Sequence, residues 1–377
     1  MAKIARIYLD TAAATPLDGR VKRAMLSYLG SHFGNPSSLH AEGVAAARAV
    51  QTARQRAAAV LGVQPDEIIF TSGGTESNNL ALTAAAGGEI IISAIEHASV
   101  VAAAPAAIVV PVDARGVIDL KKFKSSLTPQ AKLVSVIYAN NEIGTIQPLA
   151  EIAKIIRAHR KIHQTAFPYL HTDACQATRF LELFVPRLGV DLLTLNAAKI
   201  YGPKGVGLLY VKRGVKLLPL QQGGGQEAGR RAGTENVAGI IGLATALELA
   251  AASRQTEAKR LDPLRNYFIT ELQKIPGLKI NGTGPNQLPH LVNVTVPGIL
   301  AEQMVIELDA RGIALSTGSA CAIASHDESY VIMALGRSKK EAEQSVRFSF
   351  DRTTTRTELK YVLKMIKEVI KKYQTII

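Results

Sequence analysis

Asp191-Leu-Leu-Thr-Leu-Asn-Ala-Ala-Lys-Ile-Tyr-Gly-Pro-Lys-Gly-Val-Gly-Leu-Leu-Tyr-Val211 is the stretch on which the reading of the fold turns. Its ends, 191–195 and 206–211, are apolar runs of strand length, and the turn between them is bounded by Gly202, Pro203 and Gly205. Lys199 sits in that turn behind the uncharged run 192–198. Such surroundings strip water from an ammonium and favour the neutral amine that attacks a carbonyl; a solvated lysine at a strand end is the alternative.

Working outward, strand-like runs at 67–71, 89–93 and 133–138 alternate with helical stretches. Leu149, Ile152, Ala153 and Ile156 repeat at three-to-four spacing within 148–159, and 41–61 is alanine-rich with arginines expected on its outer face. Continuous apolar strands separated by helices predict a doubly wound α/β architecture with a mostly parallel sheet covered on both faces. Beyond Gly239 a helical stretch, 240–273, is expected to kink or break near Pro263. Strands at 278–280, 291–296 and 345–350, a helix from Ala301 and a last helix from Thr357 then suggest a smaller α+β unit. The expected division is a large domain over 15–254, with 1–14 and 255–377 forming the small one. No internal repeat or low-complexity linker appears.

A chain of 377 residues, 47% apolar, exceeds the usual single-core size and can bury a substantial interior. The longest nearly uncharged run, 98–112, carries Pro105 and Pro111 and is too short for a bilayer, so no transmembrane segment is expected. The first residues lack the continuous apolar region of a secretory signal, and a cytoplasmic protein is expected. Two cysteines, Cys175 and Cys321, are too few for a disulfide framework and lack metal-ligand spacing, so no metal site is expected. The net charge of +13 comes without basic runs interleaved with aromatics. That favours a solvated basic surface over a nucleic-acid site.

Thr71-Ser-Gly-Gly-Thr-Glu-Ser-Asn-Asn79 follows a strand and opens a helical pattern, a place where backbone N–H groups hold a phosphate; an ordinary N-cap by Ser72 or Thr75 is the alternative. No nucleotide phosphate loop or dinucleotide fingerprint is present. His97 follows a strand, where its ring can stack on a planar cofactor or serve a structural hydrogen bond. Asp173 closes an apolar segment at the strand end where open α/β sheets bind ligands, or else caps a helix. Cys321, within Ser316-Thr-Gly-Ser-Ala-Cys-Ala-Ile-Ala-Ser325, suits a mobile loop that carries a nucleophilic thiol; a small buried hydrophobe is the alternative, and it fits Cys175 better. An acid for a pyridine nitrogen, a lysine for a Schiff base and a thiol are together the parts of a pyridoxal phosphate enzyme that attacks sulfur.

Nine collinear segments resemble the cysteine desulfurases of the NifS/IscS type, a branch of the class V aminotransferase group with the fold-type I pyridoxal phosphate architecture. They are Tyr8-Leu-Asp10 with Ala13-Ala-Thr-Pro16, Phe33-Gly-Asn-Pro-Ser37, Phe70-Thr-Ser-Gly-Gly-Thr-Glu76, Asn140-Asn-Glu-Ile-Gly144, Lys199-Ile-Tyr-Gly-Pro-Lys-Gly205, Gly223-Gly-Gly-Gln-Glu227, Arg231-Ala-Gly-Thr234, Gly318-Ser-Ala-Cys321 and Val346-Arg-Phe-Ser349. The resemblance implies that the protein converts L-cysteine to L-alanine, with Lys199 bonded to pyridoxal 5'-phosphate, Asp173 at its ring nitrogen, Gln176 at its ring oxygen and His97 stacked on it. Gly74 and Thr75 would hold the phosphate, aided by Asn196 and by Thr234 of a second subunit in a homodimer. Asn141 and Arg347 would bind the substrate, and Cys321 would accept its sulfur as a persulfide. The Ser-Ala-Cys context resembles the group that hands persulfide to a scaffold or carrier protein, for iron-sulfur assembly or tRNA thiolation.

Some positions depart from the family pattern. Asn196-Ala-Ala-Lys199 stands where members usually read Ser-Gly-His-Lys, Thr11 replaces an asparagine, and Asp351 replaces a glycine. There are extra residues around 158–169, and the extended C-terminal tail of some members is not seen. The same cofactor residues also suit another lyase or transaminase of this fold, such as a selenocysteine lyase. The altered lysine turn suits a non-catalytic sulfur-delivery or assembly protein.

Overall fold

The computed structural model describes residues 6–318 and 328–374. Its largest sheet contains β2 (Ile68–Thr71), β3 (Glu89–Ser93), β4 (Ile108–Val110), β5 (Ala131–Ser135), β6 (Tyr169–Asp173), β7 (Leu192–Asn196) and β8 (Gly207–Val211), in the order β2-β8-β7-β6-β5-β3-β4. The pairs β4–β3, β3–β5, β5–β6 and β6–β7 are parallel, whereas β8 runs antiparallel to both β7 and β2. The connection explains the exception, because a tight turn joins only antiparallel strands and a parallel pair needs a long crossover. The pair Asn196↔Gly207 closes the β7–β8 ladder, and Lys199 lies in the loop beyond it. Alternate residues of the two strands serve opposite faces: Leu193, Leu195 and Leu208 join one apolar cluster, Leu192, Leu209 and Val211 the other.

The helix Ala41–Leu61 lays Ala46, Val50, Ala53, Ala57 and Leu61 into the core, against the helix Val237–Gln273. The sequence expectation for its arginines needs correction. Arg48 faces solvent, but Arg54 turns inward, with Nη2 2.7 Å and Nη1 2.8 Å from the two carboxylate oxygens of Glu227. Arg56 reaches Glu248 on the long helix. Alternation between helix faces locates an arginine only when no buried carboxylate competes for it.

The helix Val237–Gln273 passes Pro263 without ending, so the expected break does not occur. By length and composition it is apolar enough to cross a membrane, yet 61% of its most apolar window is buried inside the protein. Its later residues Leu261, Phe268 and Leu272 support a three-stranded antiparallel sheet in the order β12-β10-β9, formed by β9 (Lys279–Asn281), β10 (Leu291–Thr295) and β12 (Ser345–Ser349). Phe268 meets Phe348 and Phe350 edge-on at 5.2 and 5.6 Å between ring centroids. A further pair, β1 (Ile7–Tyr8) with β11 (Ile313–Ala314), is parallel, and a bridge from Asp10 to Ser349 ties the N-terminal segment to β12. The helices Ala301–Asp309 and Arg356–Gln374 cover this sheet. The helices expected from 41, 148, 301 and 357 start within a residue of those positions, whereas the long helix begins at Val237, three residues before the expected 240; β1, β4 and β11 are too short to announce themselves by alternation.

The Arg54–Glu227 pair is nearly enclosed, with side-chain exposures of 14% and 2%. Arg54→Met leaves the Glu227 carboxylate buried without its partner and is expected to cost about 3–5 kcal/mol in urea unfolding. The double variant Arg54→Met/Glu227→Leu is expected to recover most of that loss.

Candidate active site

The C-terminal ends of β3, β6 and β7 open onto one edge of the large sheet, where parallel α/β sheets place ligands. Asp173 ends β6, His97 follows β3 and Lys199 follows β7. Facing them is the helix Gly74–Leu82, whose first N–H groups have no helical acceptor.

Lys199 occupies a short 3-10 turn, Ala197–Lys199, that Asn196 caps by accepting the Ala198 N–H at 3.1 Å. Its Nζ donates to the carbonyls of Ala12 and Ala13 at 2.9 and 2.6 Å. Burial is the chief cause that lowers its pKa, as the uncharged run before it led one to expect. Thr15 braces the loop by accepting from Tyr201 N at 2.7 Å and donating to Ala198 O at 2.9 Å. Tyr201 itself sits at φ 59, a left-handed conformation seldom adopted by a bulky residue. Its ring lies between the guanidinium groups of Arg179 and Arg352, at 4.8 and 4.1 Å.

Asp173 accepts from Asn78 Nδ2 at 2.7 Å through one oxygen and from Cys175 N at 2.9 Å through the other. Gln176 donates to Ala12 O, the carbonyl that Lys199 also uses. Cys175 is buried as expected, and burial pushes its thiol pKa well up, which suits a packing residue rather than a nucleophile. A Cβ added to Gly74 would lie 3.0 Å from Cys175 Sγ and 3.6 Å from Asn196 Nδ2. The helix N-terminus and the Asn196 amide therefore flank one space, which a side chain at 74 would fill. Thr75 is exposed beside it. Asn196 and Ala198 bring neither a hydroxyl nor an imidazole to this space.

Arg347 lies on β12, nearly enclosed. It donates to Asp10 Oδ1 at 2.8 Å, to Asn141 O at 2.9 Å and to Gly318 O at 3.2 Å, and its Nε is buried without a partner. An unpaired guanidinium N–H in a closed setting suits a ligand carboxylate. The preceding residue, Asn140, is structural: its Nδ2 donates to Ile95 O and its Oδ1 accepts from Glu142 N and Ile143 N. Thr234 is exposed, in a segment whose Arg231 pairs with Glu76 on the helix Gly74–Leu82 at 2.9 Å. Cys321 lies outside the described residues.

Several groups at this edge carried no signal in the sequence. Asp10 was only part of a motif, and its pairing with Arg347 spans 337 positions. Glu96 is fully buried, accepting from Ile137 N at 2.8 Å, Ser135 Oγ at 3.3 Å and Ser93 Oγ. Ser135 Oγ is also 2.9 Å from His171 Nδ1, whose Nε2 is 3.1 Å from Thr194 Oγ1. A chain of buried polar groups thus runs beneath Asp173. Among the described residues no group of histidine, cysteine and acidic side chains is arranged to hold a metal ion.

Residues 7–362 match the Aminotransferase class-V family. The chain is 42% identical over 386 residues to "Cysteine desulfurase IscS" of Dictyoglomus turgidum, covering 98% of this chain and 96% of that protein. It is 40% identical over 382 residues to the protein of the same name from Clostridium botulinum, covering 97% and 94% of the two chains. A solved structure described as a NifS-like protein superposes with a TM-score of 0.89 at 35% identity, over 97% of this chain and 99% of that one.

Burial raises the Glu96 pKa from 4.5 to about 8, and burial lowers that of His171 from 6.5 to about 4. The folded protein keeps a proton on Glu96 that the unfolded chain gives up near 4.5, so this contribution to stability is full below that pH and fades toward about 8. His171 acts oppositely, only between about 4 and 6.5. Above pH 6.5 the Glu96 slope stands clear of it, and about 2 kcal/mol of urea-unfolding stability should be lost between pH 6.5 and 8. Glu96→Gln is expected to remove that loss; an unchanged slope would show that Glu96 is not its source.

Proposed function

The chain belongs to the Aminotransferase class-V family as a pyridoxal phosphate-dependent cysteine desulfurase, and from that premise we propose how its own residues divide the work. Bound pyridoxal phosphate supplies an electron-accepting ring that makes the bonds at the substrate's Cα and Cβ labile. The single observation that carries the assignment is the convergence of a buried Lys199 amine, the Asp173 carboxylate and the Gly74 helix start on one sheet edge.

Lys199 would hold the cofactor through Nζ, and once the substrate's amine takes its place there, the lowered pKa would leave the freed Lys199 amine neutral and able to accept the Cα proton. Asp173, oriented by Asn78 and by the Cys175 N–H, would pair with the ring nitrogen. His97 would cover the ring face and Gln176 would serve the ring oxygen. Gly74 and Thr75 at the helix start would hold the phosphate, and Asn196 Nδ2, which lies close to Gly74, could donate to it. Ala198 leaves that phosphate with one anchor fewer than the family pattern supplies. Thr234, exposed in a single chain, is available to the phosphate of a second copy, so a homodimer with shared sites fits.

Arg347 and Asn141 receive the carboxylate of L-cysteine, with the unpaired Arg347 Nε as the open donor. Cys321, on the small unit formed by 1–14 and 255–377, attacks the substrate sulfur as a thiolate. The Cβ–S bond breaks, a sulfur–sulfur bond forms on Cys321, and Cβ takes up a proton to give L-alanine. The enzyme sulfur is oxidised as the carbon is reduced, so no outside oxidant is consumed. The persulfide then passes to an acceptor protein in the cytoplasm.

Lys199→Ala is expected to abolish the visible cofactor band, and borohydride reduction of the wild type should place the adduct on the peptide that carries Lys199. Cys321→Ser is expected to keep the band while sulfide release from L-cysteine falls at least about a hundredfold. Full desulfurase turnover in Cys321→Ser would refute the nucleophile assignment.

A further inference from the structure

His97, Ser99, Asn78 and Asp173 form one hydrogen-bonded chain in which every donor and acceptor can be assigned. Asn78 Nδ2 lies 2.7 Å from Asp173 Oδ2 and 2.8 Å from Ser99 Oγ. Turned over, the amide would set its oxygen against a carboxylate, so the NH2 group is the one that points there. Both of its hydrogens are then used, and an amide nitrogen accepts nothing. The Ser99 hydroxyl therefore accepts from Asn78 and gives its own hydrogen to His97 Nδ1, 2.8 Å away. The Ser99 backbone N–H points at the same ring nitrogen at 3.1 Å.

Two independent donors thus converge on His97 Nδ1, which must offer them a lone pair. The ring proton is left on Nε2. Protonating Nδ1 as well would oppose it to a backbone N–H that the helix Ala98–Val101 holds in place. The arrangement has a visible cost, since Asn78 Oδ1 is buried with no partner. That amide is placed for what its nitrogen holds.

We infer that Asn78 and Ser99 are positioning residues that keep His97 neutral with its proton on Nε2, so that the ring meets the cofactor as a proton donor rather than as a base. The inference rests on the placement of His97 against the cofactor proposed above. Three charged groups on other elements bear on the ring: Asp173 from β6 favours the charged imidazolium, while Lys199 and Arg347 oppose it. Burial, the largest influence, also lowers the His97 pKa, in the direction that the Ser99 donors push it.

The test uses holoenzyme labelled with 15N at histidine and long-range proton–nitrogen NMR, with the His97 signals identified by their loss in His97→Gln. The wild type should show Nδ1 bare and Nε2 protonated from about pH 6 to about 8. Ser99→Ala keeps the backbone donor and removes the hydroxyl, and should raise the His97 midpoint by about 0.7 pH unit, the size of one ordinary hydrogen bond. Ser99→Thr, which restores a hydroxyl, should return the midpoint. A proton on Nδ1 in the wild type, or an unmoved midpoint in a Ser99→Ala protein that melts like the wild type, overturns the inference. The signal is read without turnover, so an inactive holoenzyme with a bare Nδ1 would count against the desulfurase mechanism while upholding the role of Ser99.

Discussion

The close approach of Gly207 to Gly73 is the constraint on which the rest of the site depends. A Cβ at Gly207 would meet the backbone atoms of Gly73 at 2.7 Å, so only glycine lets the first residue of β8 lie against the loop before the helix Gly74–Leu82. That contact brings two separate pieces of chain together. One is the β7–β8 turn with Lys199, the other the helix start that flanks the Asn196 amide. Because β8 also pairs with β2, the strand leading into that helix, the ladder and the glycine contact enforce the same placement.

Around this junction the protein confines several polar groups in dry surroundings. Each is stabilised by a donor or acceptor from a distant part of the chain. Arg347 depends on Asp10, Lys199 on the carbonyls of Ala12 and Ala13, and Gln176 on Ala12 again. The segment 10–15 therefore acts as a polar floor, although it contains almost no regular structure. Its position is set by β1 pairing with β11 and by the bridge to Ser349. The two parts of the fold meet where Arg347 from the antiparallel sheet reaches Asn141 beyond the large one. An arginine held by three acceptors with its Nε–H still unpaired is preorganised for a carboxylate rather than collapsed onto the protein.

The lysine turn, the strand-end aspartate and the glycine-rich helix start were legible in the sequence because each is local. A few neighbouring residues suffice to mark a tight turn, a strand end or a helix N-terminus. The same locality explains the errors. Arg54 was assigned to solvent from its helical spacing, but its partner Glu227 is 173 positions away. At Pro263, where the sequence suggests a kink or break, the helix runs on, with Leu261, Phe268 and Leu272 buried on its inner side. Nothing near Glu96 in the chain announces that Ser135 and Ile137 enclose it.

The sequence by itself determined the doubly wound class, the family and the buried lysine turn, because apolar periodicity, turn chemistry and collinear motifs are written along one dimension. Only the tertiary structure decided which polar groups are shared. Ser99 and Asn78 lie 21 positions apart, and Asn78 and Asp173 lie 95 apart, yet one amide joins them. The protonation of His97 follows from that union, because hydrogen-bond donors and acceptors must balance where water is excluded, and that balance exists only once the chain has closed on itself.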